Sequence, residues 1–269
     1  MKKLFLFSLA AITLICTTNL FAQFGEPEVR KKEVPKNLYD EGYKSGFGFI
    51  FGANDFGFGV GGQYRKVITR YTEAHLTFRI NGIKDPREQT FIDYFFGTKT
   101  VPDKYQRVIS FPLSIGLKKR FFAQEVSDNF RFFGSVSGGP VMAFSYPYFN
   151  DQNDNGFREN DPQLYQSFER TNDIFTGWKD GDWHLGATGS AEIGIDFNSN
   201  FSRLQSMTFG YNFYYFANGL QILEPSKPLT DQNNFPRYQG GQLQTTTSYE
   251  PKSYYGSAQI SFVFGWMWD

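Results

Sequence analysis

The sequence predicts an all-β chain, an eight-stranded antiparallel up-and-down transmembrane β-barrel whose outer face meets the hydrocarbon of a bilayer. Three observations carry that prediction. The first is the stretch Tyr254 to Trp268, YYGSAQISFVFGWMW, in which every second residue is apolar or glycine: Tyr254, Gly256, Ala258, Ile260, Phe262, Phe264, Trp266 and Trp268. Side chains alternate across a strand, so the residues between them, Tyr255, Ser257, Gln259, Ser261, Val263 and Gly265, make a second face that is mostly small or polar. The second is composition: 19% aromatic residues, with 32 Phe, 16 Tyr and 27 Gly, at a polar mean hydropathy of −0.44. Interleaving apolar and polar residues one by one reconciles these figures, as a membrane barrel does. The third is that the alternation recurs in seven earlier segments. One strand alone in lipid would strand its backbone N–H and C=O groups, and only closure into a barrel removes the edge.

Lys2 and Lys3 precede a largely apolar run from Leu4 to Leu20, and Ala22-Gln23 follows Phe21. This reads as a signal peptide, 1–22, cleaved after Ala22. Cleavage would remove Cys16, the single cysteine, and leave 269 − 22 = 247 residues with 25 basic and 27 acidic side chains. That near-neutral balance has no concentrated basic patch for nucleic acid. Outside the leader there is no apolar run of about twenty residues, the length a helical span needs. Residues 23–44, QFGEPEVRKKEVPKNLYDEGYK, are charged and aperiodic, and read as a periplasmic N-terminal tether. The barrel is 45–269.

Strand one, 45–53, places Phe47, Phe49, Phe51 and Ala53 outside and glycines inside, with a turn at Asn54-Asp55. Strand two, 56–66, alternates Phe56, Phe58, Val60 and Tyr64 outside with Gln63 and Arg65 inside. Strand three, 71–81, follows a turn near Ile68 to Arg70; it has Ala74, Leu76, Phe78 and Ile80 outside and Glu73, His75, Thr77 and Arg79 inside. Strand four, 105–118, has Ile109, Phe111, Leu113, Ile115 and Leu117 outside. Its Pro112 lacks a donor, and a local bulge is predicted there. Strand five, 130–145, turns Phe130, Phe132, Val136, Met142 and Phe144 outward and Arg131, Phe133, Ser135 and Ser137 inward. Strand six, 182–197, turns Trp183, Leu185, Ala187, Ala191, Ile193, Ile195 and Phe197 outward and His184, Thr188, Ser190, Glu192 and Asp196 inward. Strand seven, 203–216, exposes Met207, Phe209, Tyr211, Phe213 and Tyr215. The long connections 82–104, 146–181 and 217–252 are the third, fifth and seventh, the parity expected of external loops when both termini are periplasmic. A soluble β-sandwich also explains alternation, but not aromatic outer series in nearly every strand.

The inward charges Arg65, Glu73, His75, Arg79, Arg131, His184, Glu192 and Asp196 predict an interior polar network, since buried charges must pair. A catalytic reading would join His75 or His184 to a serine and a carboxylate. In the fifth connection, DQNDNGFREND, the residues Asp151, Asn153, Asn155, Glu159 and Asp161 have part of the spacing of a calcium loop, with Pro162 where a bidentate glutamate belongs. Ca2+ and an Asn/Asp-rich turn are the two readings; no other cofactor is implied. Tyr146, Tyr148, Phe149, Tyr165, Phe168, Phe175 and Trp178 in that region either contact a partner or lipopolysaccharide, or pack on one another over the barrel.

The eight strands over 45–269 and the C-terminal strand ending FVFGWMWD resemble small outer-membrane barrels of the OmpX, OmpW and PorT type found in Bacteroidota. The usual C-terminal signal ends on the aromatic itself, whereas here Asp269 follows Trp268. The resemblance implies the bacterial outer membrane, with lipid and lipopolysaccharide as partners and room for protein partners in a membrane complex. It implies a non-enzymatic structural or interaction role, in the PorT-like version as subunit of a secretion or assembly complex. One alternative is OmpW-like passage or binding of small hydrophobic molecules, which predicts an apolar interior slot near the mouth. Another is a lipid A-modifying hydrolase, which predicts a serine and a histidine within about 3 Å.

Overall fold

The computed structural model describes residues 35–93, 98–126, 128–161, 163–165, 169–197 and 200–269. The predicted signal peptide 1–22, residues 23–34 of the predicted tether, Pro162 and Phe168 lie outside the described residues. Eight long strands form the wall: β1 Ser45–Asn54, β2 Gly57–Thr69, β3 Thr72–Ile83, β4 Gln106–Arg120, β5 Phe130–Pro147, β6 Asp182–Phe197, β7 Arg203–Leu220 and β8 Lys252–Trp268. Each pairs antiparallel with its sequence neighbours, and β1 pairs with β8, so the sheet closes into an up-and-down barrel. Closure rules out the two stacked sheets of a sandwich.

The closing seam shows why the last strand is so aromatic. Along it Phe47 faces Trp266, Phe49 faces Phe264 and Phe51 faces Phe262, all on the outer wall. Cross-strand aromatic pairs of this kind stabilise a ladder beyond its backbone bonds, and here they fasten the chain's first stave to its last. The strands run 10 to 18 residues, at or beyond the 9–11 or so that a tilted strand needs to cross a membrane.

Alternation holds all round. Phe58 is 89% exposed and Leu185 75%, values no water-soluble surface sustains as a continuous belt. The opposite parity is buried: Gln63, His75, Ser110, Asn212 and Ser261 all face the lumen. Ala191 sits near the middle of β6 on its outer face, facing Tyr211 on one side and Val136 on the other. Ala191→Arg is expected to lower unfolding free energy by about 2–4 kcal/mol in phosphatidylcholine vesicles, read from urea unfolding followed by tryptophan fluorescence. A loss below about 0.5 kcal/mol, as for an ordinary surface site, would place that face outside hydrocarbon.

Three local predictions are corrected. The first hairpin turns at Asp55-Phe56, with Asn54 opposite Gly57. Gly57 has φ 131°, which favours glycine, and Phe56, freed from strand parity, folds inward and is buried. The predicted bulge at Pro112 is absent. Pairing between β3 and β4 lapses after Phe78↔Leu113 and resumes at Asn81↔Ser110 in the same register. The missing donor of Pro112 is accommodated by a gap, not by an extra residue. Third, β3 runs on to Ile83 and β7 to Leu220, where residues assigned to loops continue the strands above the belt.

Candidate functional site

The lumen has two layers. In the half nearer the start of β1 and the end of β8, the predicted polar network assembles. Lys118 Nζ lies 2.5 Å from Asp196 and 3.6 Å from Glu73. Arg65 Nη1 approaches Asp196 at 3.5 Å and Glu73 at 3.8 Å, while its Nε donates to Gln63 at 2.6 Å and its Nη2 to Ser206 at 3.1 Å. Higher up, Arg79 pairs with Glu192 at 3.1 Å and donates to Gln259 at 2.7 Å, and Asn212 also donates to Gln259. Arg131 spreads over the Phe201 ring at 4.4 Å and donates to the Asp128 carbonyl. His75 lies in this layer beside Arg79, Thr77 and Gln63. Opposite charges thus meet from four different staves, which ties the ring across its centre.

His184 does not join them. It sits on the loop side of the barrel, where its Nε2 is 2.9 Å from Ser145 Oγ. Lys118, the last residue of the predicted strand four, joins the charge network because the strand runs on to Arg120 and its parity with Ser114 and Gly116 turns it inward. Gln63 and Gln259 were placed inside but not enlisted, because amides signal no charge pairing in a sequence.

Above the polar layer lies an apolar plug: Phe56, Ile83, Val108, Val141, Ala143, Tyr214, Phe216, Leu220, Ile222 and Tyr255. The apolar slot predicted by the transport alternative is therefore filled by the protein's own side chains. The spaces left in the polar lumen are about 20 and 10 Å³, room for single waters. The wall is tight even at Pro112: a Cβ added to Gly139 would stand 2.2 Å from the Leu113 carbonyl oxygen.

The three long connections interlock over the plug. Tyr105 donates its N–H to Ile222 at 2.8 Å, Tyr148 to Tyr105 at 2.8 Å, Glu224 to Asp103 at 2.8 Å and Asn172 to Tyr148 at 2.8 Å. Arg107 stacks on Tyr148 at 4.6 Å, and Lys104 pairs with Glu88 at 2.8 Å. Most of the loop aromatics pack on one another, as the second of the two readings has it; Phe175 and Trp178 stay exposed.

The calcium-loop residues come together only in part. Asp151 accepts from the N–H of Asn155 at 3.1 Å and of Gly156 at 2.8 Å. Asn153 and Asn155 donate their amides to Glu159 at 3.0 and 3.1 Å. Asp161 is turned elsewhere, accepting from Gln163 at 2.9 Å. Among the described residues no group of His, Cys, Asp and Glu has metal-binding geometry. Asn and Asp here satisfy backbone donors, as in Asx turns.

Glu224 is buried within the loops. Burial pushes its carboxyl up to about 8, against the N–H of Arg158 at 3.2 Å, which favours the anion. Burial also raises Glu169. A raised carboxyl binds its proton in the folded cap and loses it on unfolding, so the contribution is full below the ordinary value of 4.5 and is lost as pH rises through about 8. Proteolysis of loops 148–181 and 221–251 is expected to accelerate between pH 6 and pH 9, and Glu224→Gln is expected to flatten that dependence.

No family model matches the sequence, and no curated protein matches it. A likeness among solved structures is the crystal structure of Ail, the attachment invasion locus protein of Yersinia pestis, in complex with the heparin analogue sucrose octasulfate. It is 8% identical, with 83% of this chain and 94% of that one covered, at a TM-score of 0.29. The barrel assignment rests on this chain's own closed ring of strand pairs.

Proposed function

We propose that this chain is a bacterial outer-membrane β-barrel with a non-enzymatic interaction role, exercised through its interlocked loops, as a subunit of a secretion or assembly complex. The observation that carries this reading is the sealed lumen inside an apolar outer wall. A barrel filled by salt bridges at one end and by aromatic and aliphatic side chains at the other has no path for solutes. Its worked surfaces are the lipid belt and the loop cap. Lipid and lipopolysaccharide meet the belt; a protein partner meets the cap, where main-chain bonds between the third, fifth and seventh connections hold a fixed surface.

A second reading has one specific observation in its favour. Ser145 and His184 stand at the distance a hydrolase pair requires. Against it, Ser145 is 1% exposed and faces the lumen beneath the cap. Among the described residues His184 also has no carboxylate to orient it, the third member such a pair uses.

One preparation tests both. The protein is extracted gently from its own membrane, captured by a tag, then assayed for conductance in planar bilayers and for labelling by a fluorophosphonate. A stoichiometric companion, no conductance and no labelling are expected. A barrel that arrives alone and conducts or retains a small apolar solute would refute the interaction reading. Labelling abolished by Ser145→Ala would replace it with the hydrolase.

A further inference from the structure

In the fifth connection, just before β6, two large apolar side chains stand free: Phe175 is 78% exposed and Ile174 61%. They are held, not loose. Asp173 accepts from the N–H of Phe175 and of Thr176, each at 2.8 Å, and from the Thr176 hydroxyl at 2.8 Å. Trp178 Nε1 donates to the Ile174 carbonyl at 2.8 Å. Arg107 donates to the carbonyls of Asn172 and Asp173 at 2.7 and 2.8 Å. The turn is thus tied at both flanks and at its tip.

Its inner side leans on the outer wall. Trp178 meets Tyr146 at 6.0 Å and Phe144 at 6.2 Å, and Phe144 meets Trp183 at 4.9 Å. Trp183 in turn meets Phe111 at 5.7 Å, so an aromatic chain runs unbroken from the lipid belt up to Phe175, which touches Trp178 at 6.1 Å. Gly181 keeps the loop against the wall, since a Cβ there would stand 2.4 Å from the Phe144 ring.

We infer that residues 174–178 form a rigid spur that dips into the hydrocarbon of the outer leaflet beside β5 and β6. This rests on the membrane reading above and adds to it a fixed contact above the belt, on one side of the barrel only. The occupant is lipid because the ring contacts from Phe111 through Trp183, Phe144 and Trp178 to Phe175 continue the lipid-facing surface, while Asp173, Lys179 and Asp180 stay exposed as a polar rim around the spur. Preorganisation removes the ordering cost that a loose loop would meet on insertion, and aromatic rings are the side chains that settle at such an interface.

The test uses single-cysteine variants in a Cys16→Ser background, labelled with a nitroxide and reconstituted in dioleoylphosphatidylcholine vesicles. Phe58→Cys in the belt and Asn234→Cys in the seventh connection are the references; heat-resistant gel mobility confirms folding. Collision with oxygen, which concentrates in hydrocarbon, is compared with collision with a water-soluble nickel chelate. The oxygen-to-nickel ratio at Phe175→Cys is expected to match Phe58→Cys and to exceed Asn234→Cys severalfold. A ratio matching Asn234→Cys would overturn the inference and leave a protein partner as the occupant. If Phe58→Cys also reads as water, the membrane reading itself fails.

Discussion

Asp196→Ala is expected to cost about 3–5 kcal/mol of unfolding free energy, the range for removing one partner of a buried charge cluster. Asp196 is the anion on which Lys118 at 2.5 Å and Arg65 at 3.5 Å converge, and it also accepts from the Ser206 hydroxyl. Without it, Glu73 alone would face both cations, at 3.6 and 3.8 Å. Arg65 Nη1 and Glu73 Oε2 already lack a hydrogen-bond partner, so little compensation is in reserve. The pair Asp196→Asn with Lys118→Met is expected to recover most of the loss, because a well-packed neutral pair escapes the cost of an orphaned charge. Urea unfolding in vesicles measures both variants. Equal losses in the single and the double variant would mean that the cluster is not electrically coupled.

That cluster also shows how far the sequence alone reached. Alternation in β3, β4 and β6 is enforced by the contrast between hydrocarbon and lumen, so each inward charge was legible from its neighbours two residues away. Which charges meet was not legible, because partners come from staves whose register depends on closure: Arg65 and Asp196 are 131 positions apart. Phe56 departs from the pattern for the opposite reason. It sits where the belt ends and strand parity stops governing what an aromatic ring faces. His184 went astray through depth: the same inward parity at the loop end of β6 leads to Ser145 rather than to the charges below. The calcium spacing was visible, but spacing cannot say whether amides turn toward a cation or toward Glu159.

Phe216→Ala is expected to cost about 3–5 kcal/mol, as for other buried phenylalanines, and yet to leave the barrel closed to ions. Phe216 is buried in the plug, with its ring 6.3 Å from that of Tyr255. It also packs on the β6 backbone, where a Cβ on Gly186 would stand 2.6 Å from the ring. Truncation leaves an apolar hole bounded below by the Arg79, Glu192 and Gln259 contacts, which do not depend on the ring. An apolar hole of this kind stays dry and takes up small aromatic solutes. Benzene should therefore restore part of the lost stability of Phe216→Ala and none of that lost in Asp196→Ala, whose gap is polar and admits water. Planar-bilayer recordings complete the test. Ion current through Phe216→Ala would mean that the plug alone seals the lumen, whereas a silent but benzene-rescued variant would show that the ionic layer below it is a second, independent seal.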